Sequence, residues 1–250
     1  MLESGAKTDK GNHRGHNEDA CLIMEKEQVY IVADGVGGNR AGELASRTAV
    51  NEVADFLRRN RIDKTDDRDE LARILTGCVK HANDSILKLG DKYPENKGMA
   101  TTLVICIIKK DKAYFVNVGD SRAYIRRGSE LFQLTEDHSY VNSLIKLGVI
   151  TRDEAADRSD GNVITKAIGA EKEVEADYYQ TNITEGDVLI LCTDGLYGEV
   201  KEKDINECIT ENTDMEKLAC RLVDKANEAG GRDNISVVCI KITVKGGKNE

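Results

Sequence analysis

The chain has 250 residues, enough to bury a full core without disulfide or metal staples. Hydrophobic residues make up 40% and charged residues 32%, an ordinary globular composition. Asp and Glu total 45 against 36 Lys and Arg, a net charge of −9, which argues against a general nucleic-acid binder because that needs a basic face. In chain order, strands are predicted at Ala20–Met24 and Gln28–Ala33, then helices at Glu43–Arg59 and Asp69–Leu89. The second helix carries Leu71, Leu75, Cys78, Ala82, Ile86 and Leu89 on one face. Strands follow at Thr102–Ile108, Lys112–Val118 and Ala123–Arg127. The short Gly119-Asp120-Ser121-Arg122 link favours pairing of the last two as a hairpin. A polar, weakly periodic stretch over Asp137–Asp160 reads as a helical insertion or flap. Strands at Asp187–Cys192 and Ile235–Ile242 bracket a helix at Met215–Ala226.

Segregated helices and antiparallel strands predict an α+β chain rather than a doubly wound one. No linker or internal repeat divides it, so one domain over residues 1–250 is expected, with the flap at about His138 to Val163. The longest apolar run, Leu103 to Ile108, is far too short to span a bilayer. The first twenty residues are polar, with no signal-peptide pattern. Seven cysteines are scattered and never in a C-x-x-C pair, which predicts reduced thiols in a cytoplasmic protein.

Three apolar runs end in an aspartate beside a glycine: Tyr30 to Gly35, Val116 to Asp120 and Leu189 to Gly195. Asp233 precedes a fourth strand, and Asn17-Glu18-Asp19 precedes a fifth. Any one Asp-Gly is more simply a turn. Five such places shift the balance toward carboxylates converging at strand ends, which repel one another and call for a cation. Oxygen ligands without His or Cys suit Mg²⁺ or Mn²⁺ rather than zinc. A dinucleotide loop at Gly35-Val36-Gly37 fails, because the third glycine position holds Arg40. Walker A, H-E-x-x-H and EF-hand patterns are absent, and the four histidines lack metal-ligand spacing.

Seven short motifs occur in order: Arg14-Gly15-His16-Asn17-Glu18-Asp19, Val32-Ala33-Asp34-Gly35-Val36-Gly37-Gly38, Ala100-Thr101-Thr102-Leu103, Asn117-Val118-Gly119-Asp120-Ser121-Arg122-Ala123, Leu134-Thr135-Glu136-Asp137-His138-Ser139, Cys192-Thr193-Asp194-Gly195-Leu196 and Gly231-Arg232-Asp233-Asn234-Ile235-Ser236. Together they resemble the type-2C, metal-dependent (PPM) serine/threonine protein phosphatases over nearly the whole chain. The resemblance implies a four-layer α-β-β-α sandwich with two central antiparallel β-sheets and a metal pair in a cleft at one end. It implies that Asp34 bridges two Mn²⁺ or Mg²⁺ ions, with the Gly35 carbonyl on one. Asp194 and Asp233 are then ligands of the second ion and Glu18 serves the first. Asp120 with Asp194 resembles the third-metal site of bacterial members. Asp19 looks like the carboxylate that orients the bridging water, and Arg14 like the phosphate clamp. The implied reaction is in-line attack of that water on phosphoserine or phosphothreonine of proteins.

Many eukaryotic members carry a histidine, a proposed general acid, where this chain has Val36. That departure resembles bacterial members and leaves His16 and His138 as conceivable acids, each more simply structural. Two other readings compete. One is a non-catalytic phosphoprotein binder, against which the complete carboxylate set speaks. The other is a nuclease or small-molecule phosphatase, against which the acidic charge and the ordered motifs speak. The implied partners are phosphorylated proteins and a Ser/Thr protein kinase, with no nucleic acid, no membrane span and a monomer as the default. The flap is expected to help choose substrates.

Overall fold

Period-two alternation sorts the side chains of the central strands into different cores. A computed structural model describes residues 2–37, 41–151, 154, 155, 158, 163–210 and 212–243. In β3 (Val29–Val36), Val29, Ile31 and Ala33 face one core while Tyr30 and Val32 face another. The same split holds in β5 (Leu103–Lys109): Leu103, Ile105 and Ile107 point one way, and Val104, Cys106 and Ile108 the other. A strand buried on both faces needs no polar side, which is why these runs are continuously apolar.

One sheet has the order β2-β3-β5-β6-β9, from β2 (Asp19–Met24), β6 (Lys112–Val118) and β9 (Asp177–Asn182), with the short β4 (Ala100–Thr101) also on β3. The other has the order β1-β11-β10-β7-β8, from β1 (Leu2–Asp9), β7 (Arg122–Arg127), β8 (Glu130–Gln133), β10 (Val188–Cys192) and β11 (Ile235–Ile242). All pairings are antiparallel. Tyr30, Val104, Phe115, Leu189, Leu191, Val238 and Ile240 fill the layer between the sheets.

Helices cover the outer faces. Against the first sheet lie α1 (Ala41–Arg59) and α2 (Arg68–Lys92). Ala45, Ala49, Val53 and Leu57 of α1 recur every four residues and are buried. The Asp67 carboxylate caps α2 by accepting the Glu70 amide at 2.8 Å. The flap contributes α3 (Tyr140–Lys146). Against the second sheet lie the short α4 (Asp194–Tyr197) and α5 (Glu202–Glu207), and α6 (Met215–Ala229), which buries Leu218, Leu222, Val223 and Ala226. Three apolar layers between four layers of structure make this the expected α-β-β-α sandwich.

One expectation is overturned. β6 and β7 do not pair: β6 lies between β5 and β9, and β7 between β10 and β8. The Gly119–Ser121 link crosses from one sheet to the other. Gly119 takes φ +102, which an L side chain rarely adopts, and a Cβ there would strike Thr102. All seven cysteines are unpaired, as expected. Among the described residues no helix is long and apolar enough to cross a membrane. Gly38, Arg40 and residues 159–162 of the flap lie outside the described residues.

Candidate active site

At one end of the sandwich, strand ends from both sheets meet around a cleft of about 270 Å³. Arg14, Glu18, Asp34, Gly35, Val36, Thr102, Asp120, Ile164, Asp194 and Asp233 line it. Asp34 and Gly35 come from the end of β3, and Asp194 from the first residue of α4, directly after β10. Asp233 precedes β11, Asp120 sits on the link between the sheets, and Arg14 and Glu18 lie on the loop between β1 and β2. Asp19 does not line the cleft. It lies behind it, directly opposite Asp34 in the β2–β3 register.

Hydroxyl and amide side chains fix these positions. Thr102 Oγ1 accepts the Asp34 amide at 2.9 Å and shares a 2.7 Å bond with Ser121 Oγ, so it ties β3 to the residue beside Asp120. Thr101 Oγ1 donates to the Asp34 carbonyl at 2.8 Å. Thr193 Oγ1 donates to Asp19 Oδ2 at 2.8 Å and accepts the Ser236 amide at 2.9 Å. Asn234 organises the Arg14 loop: its Oδ1 accepts the Glu18 amide at 2.7 Å, and its Nδ2 donates to the Lys10 and His16 carbonyls at 2.9 and 2.8 Å. A Cβ on Gly35 would run into the Gly42 carbonyl, and one on Gly42 would sit 2.7 Å from Glu18 Oε2. These two glycines let β3 and α1 close around Glu18.

Two ion pairs brace the rim. Glu199, after α4, accepts Arg232 Nε at 2.7 Å and Nη2 at 3.0 Å, which ties the Asp194 segment to the residue before Asp233. Arg122 holds Asp137 through Nε and Nη2 at 2.9 and 2.6 Å. Its guanidinium stacks 3.5 Å from the Tyr197 ring centroid, and the Tyr197 hydroxyl donates to the Asp120 carbonyl at 2.9 Å. The flap's root is thereby fastened beside Asp120 and α4.

The electrostatics of the cleft are unfavourable on their own. Burial first, then the charges of Asp19, Asp194, Asp120 and Asp233, hold the Asp34 carboxyl well above the usual carboxylate range. Burial pushes Asp19 up to about 7, against the hydrogen bonds of Ser236 and Thr193. Burial and then the Asp194 charge push Asp120 up to about 7. Asp194 rises to about 6, from burial and then the charge of Asp233. Glu18 is also raised, chiefly by burial. Like charges directly opposite in a sheet, as at Asp19 and Asp34, are destabilising.

The donor set fits a hard divalent cation. Asp194 Oδ1 and Asp19 Oδ1 are buried and have no hydrogen-bond partner. A buried, unpartnered carboxylate oxygen is costly unless a cation shares its surroundings. The ligands are all oxygen, with no histidine or cysteine lining the cleft. Among the described residues no three acidic, His or Cys side chains are gathered closely enough to hold a metal ion as they stand; the carboxylates ring the cleft. Arg14 Nη2 instead lies 2.6 Å from Asp233 Oδ2, so the expected phosphate clamp and an expected ligand are paired with each other.

Neither histidine weighed as an acid lines the cleft. His138 is buried behind the link between the sheets, where Nδ1 accepts the Gly119 amide at 3.1 Å and its own amide donates to the Gly119 carbonyl at 3.0 Å. It does not line the cleft. His16 offers its carbonyl to Asn234. Thr102, Thr193 and Asn234 lie within the sequence motifs, but the sequence alone assigns them no role. The available signal was a polar residue placed at the end of an apolar run.

A protein phosphatase 2C family model matches residues 11–236. A serine/threonine phosphatase stp of Listeria monocytogenes serotype 4b is 35% identical over 245 residues, 96% of each chain. The crystal structure of the serine/threonine phosphatase PstP/Ppp of Mycobacterium tuberculosis superposes with a TM-score of 0.89 at 31% identity, covering 97% of this chain and 99% of that one. The PstP catalytic domain solved in complex with two manganese ions superposes at 0.85 with 32% identity, covering 97% and 99%.

Proposed function

The chain belongs to the protein phosphatase 2C family and is a serine/threonine protein phosphatase, and we propose that it hydrolyses phosphoserine and phosphothreonine in the carboxylate cleft, with Mn²⁺ or Mg²⁺ as cofactor. The observation that carries the site assignment is the pair of buried, unpartnered oxygens, Asp194 Oδ1 and Asp19 Oδ1, beside a cleft ringed by carboxylates. The manganese ions in the PstP catalytic domain support the choice of cation.

Asp34, the Gly35 carbonyl, Glu18, Asp194 and Asp233 would hold two ions, and Asp120 with Asp194 a third. When bound, the ions supply charge neutralisation for a phosphate dianion and a water of lowered pKa. Arg14, half-exposed and paired with Asp233, would offer two N–H groups to two phosphate oxygens once released from that partner. Asp19 would orient the attacking water through Oδ1, with Thr193 holding the carboxyl in place at Oδ2. Val36 donates no proton, so the leaving serine or threonine oxygen takes its proton from water in the open cleft.

We read the chain as one phosphatase domain, because both sheets share one buried layer. Seven unpaired cysteines support a reducing, cytoplasmic setting. Its physiological role is to oppose a Ser/Thr protein kinase on shared substrates. The test is hydrolysis of a phosphothreonine peptide, with Mn²⁺ binding followed by calorimetry on the same sample. EDTA should abolish turnover and Mn²⁺ should restore it. Turnover that survives EDTA, or Mn²⁺ binding without turnover, overturns the reading.

A further inference from the structure

Asp120 and Asp194 line the same cleft but belong to separate segments, the link between the sheets and the start of α4. Tyr197 joins the two. It is the last residue of α4, one turn beyond Asp194, so the two side chains are neighbours on the helix surface. Its hydroxyl donates to the Asp120 carbonyl at 2.9 Å, and the Arg122 guanidinium lies 3.5 Å from its ring centroid. One side chain thus grips the link on both sides of Ser121. The ring itself packs against the apolar core outside the second sheet. The neighbouring holds lead elsewhere. Gly119 is fastened to His138 by hydrogen bonds of 3.1 and 3.0 Å, and Ser121 Oγ to Thr102 on the Asp34 side at 2.7 Å. Asp194 is steadied separately through Thr193, whose amide donates to the Ser236 carbonyl at 3.1 Å and whose Oγ1 accepts the Ser236 amide at 2.9 Å. The Tyr197 contact is therefore the one that relates Asp120 to Asp194.

We propose that Tyr197 is a positioning residue that sets the separation of the Asp120 and Asp194 carboxylates, and so the strength with which that pair holds a cation. The proposal rests on the phosphatase reading, which gives these two residues a third ion, and adds the residue that spaces them. Two carboxylates share a divalent ion well only when their oxygens are held at the right distance by the groups behind them. Loss of the hydroxyl takes one donor from the Asp120 carbonyl and loosens the link from α4. Asp34 keeps its own holds from Thr101 and Thr102. The effect therefore falls on the third ion and spares the first two. A tyrosine that only filled the core would show no such selectivity, because Tyr197→Phe keeps the ring and its packing.

The experiment titrates Mn²⁺ by calorimetry into the full chain, after metal is stripped with EDTA and the chelator is removed. Wild type, Tyr197→Phe and Asp120→Asn are compared. Asp120→Asn should remove the weakest class of sites. Tyr197→Phe should weaken that class roughly three- to tenfold, the net contribution of one hydrogen bond, and leave the tighter class unchanged. The stoichiometry of the tighter class counts folded molecules on the same sample. A double variant should bind Mn²⁺ as Asp120→Asn alone does, because the pair that Tyr197 spaces is already broken. A weakest class lost in Asp120→Asn but unmoved in Tyr197→Phe overturns the proposal alone. Equal weakening of both classes also overturns it, since that marks a general loss of structure. If Asp120→Asn removes no class, the third-ion assignment falls and the proposal with it. A wild type that binds no Mn²⁺ would sink the metal-dependent reading itself.

Discussion

Two groups of buried or partly buried aspartates occupy this molecule, and they are satisfied in opposite ways. Asp187, at the start of β10, is almost fully buried, yet Arg127 grips it with Nε and Nη2 at 3.1 and 2.7 Å and the Thr184 amide adds 2.9 Å. Asp137, at the flap root, is held in the same bidentate way by Arg122. Asp19 is likewise buried and Asp34 and Asp194 partly so, but their charged neighbours are mostly other carboxylates. The first group carries its cation in the chain. The second requires one from outside, which separates structural from functional aspartates without reference to motif.

Neutralising one member of each group sharpens this contrast. Asp34→Asn should lower Mn²⁺-dependent hydrolysis of a phosphothreonine peptide by about 10³-fold, the scale on which removing one preorganised electrostatic group acts. The same variant should leave the EDTA-treated protein as stable as wild type or more so, because a repelled buried charge is gone. A drop in its urea midpoint would break the contrast. Arg14→Lys keeps the charge but loses the planar fork, and a loss of roughly 10- to 100-fold in kcat/KM is expected in steady-state assays.

Asp187→Asn should do the reverse of Asp34→Asn. Turnover per folded molecule stays near wild type while stability falls by about 1–2 kcal/mol, the low end for charged hydrogen bonds because Arg127 is half-exposed. Urea unfolding measures it. The pH dependence is a further check. Asp19 and Asp120 near 7 and Asp194 near 6 lie above the unfolded carboxylate value of about 4. The metal-free native state therefore binds more protons than the unfolded state in this window. Its stability is greatest at the acid side and should fall as pH rises from about 4 to about 7. Saturating Mn²⁺ should flatten or invert that slope. A rise with pH in EDTA would refute the assignment of the raised groups. The smallest effect belongs to the rim: Glu199→Gln loosens the Arg232 brace beside Asp233 and should weaken Mn²⁺ binding about tenfold by calorimetry.

Legibility in the sequence followed position in the sheets. β6 and β11 match their predicted spans, and β3, β5, β7 and β10 differ only at their ends. These strands lie inside the sheets, where burial on both faces demands apolar residues. The unpredicted strands are β1, β4, β8 and β9: three are sheet edges and β4 is only two residues long, while β2, also an edge, differs from its predicted span by one residue. β1, Leu-Glu-Ser-Gly-Ala-Lys-Thr-Asp, is held by pairing with β11 over eight residues rather than by its own composition. An edge strand leaves one side open to solvent, and charged residues there limit unwanted pairing. The short helices α4 and α5 were unpredicted because they hold too few turns to show a period.

The four-layer sandwich was implied by the family resemblance, while the sequence by itself determined the α+β class, the central strands and a set of aspartates placed for an all-oxygen site. These follow from local alternation and from aspartates at the ends of apolar runs, which need only neighbouring residues to read. The tertiary structure decided which sheet each strand joins, and so moved Asp120 from a presumed hairpin tip to the crossing between sheets. It decided that Asp19 stands opposite Asp34 and that Arg14 meets Asp233. Those outcomes depend on contacts between residues up to 219 positions apart. No local pattern encodes such contacts, because sheet membership and side-chain pairing are set only when the layers pack.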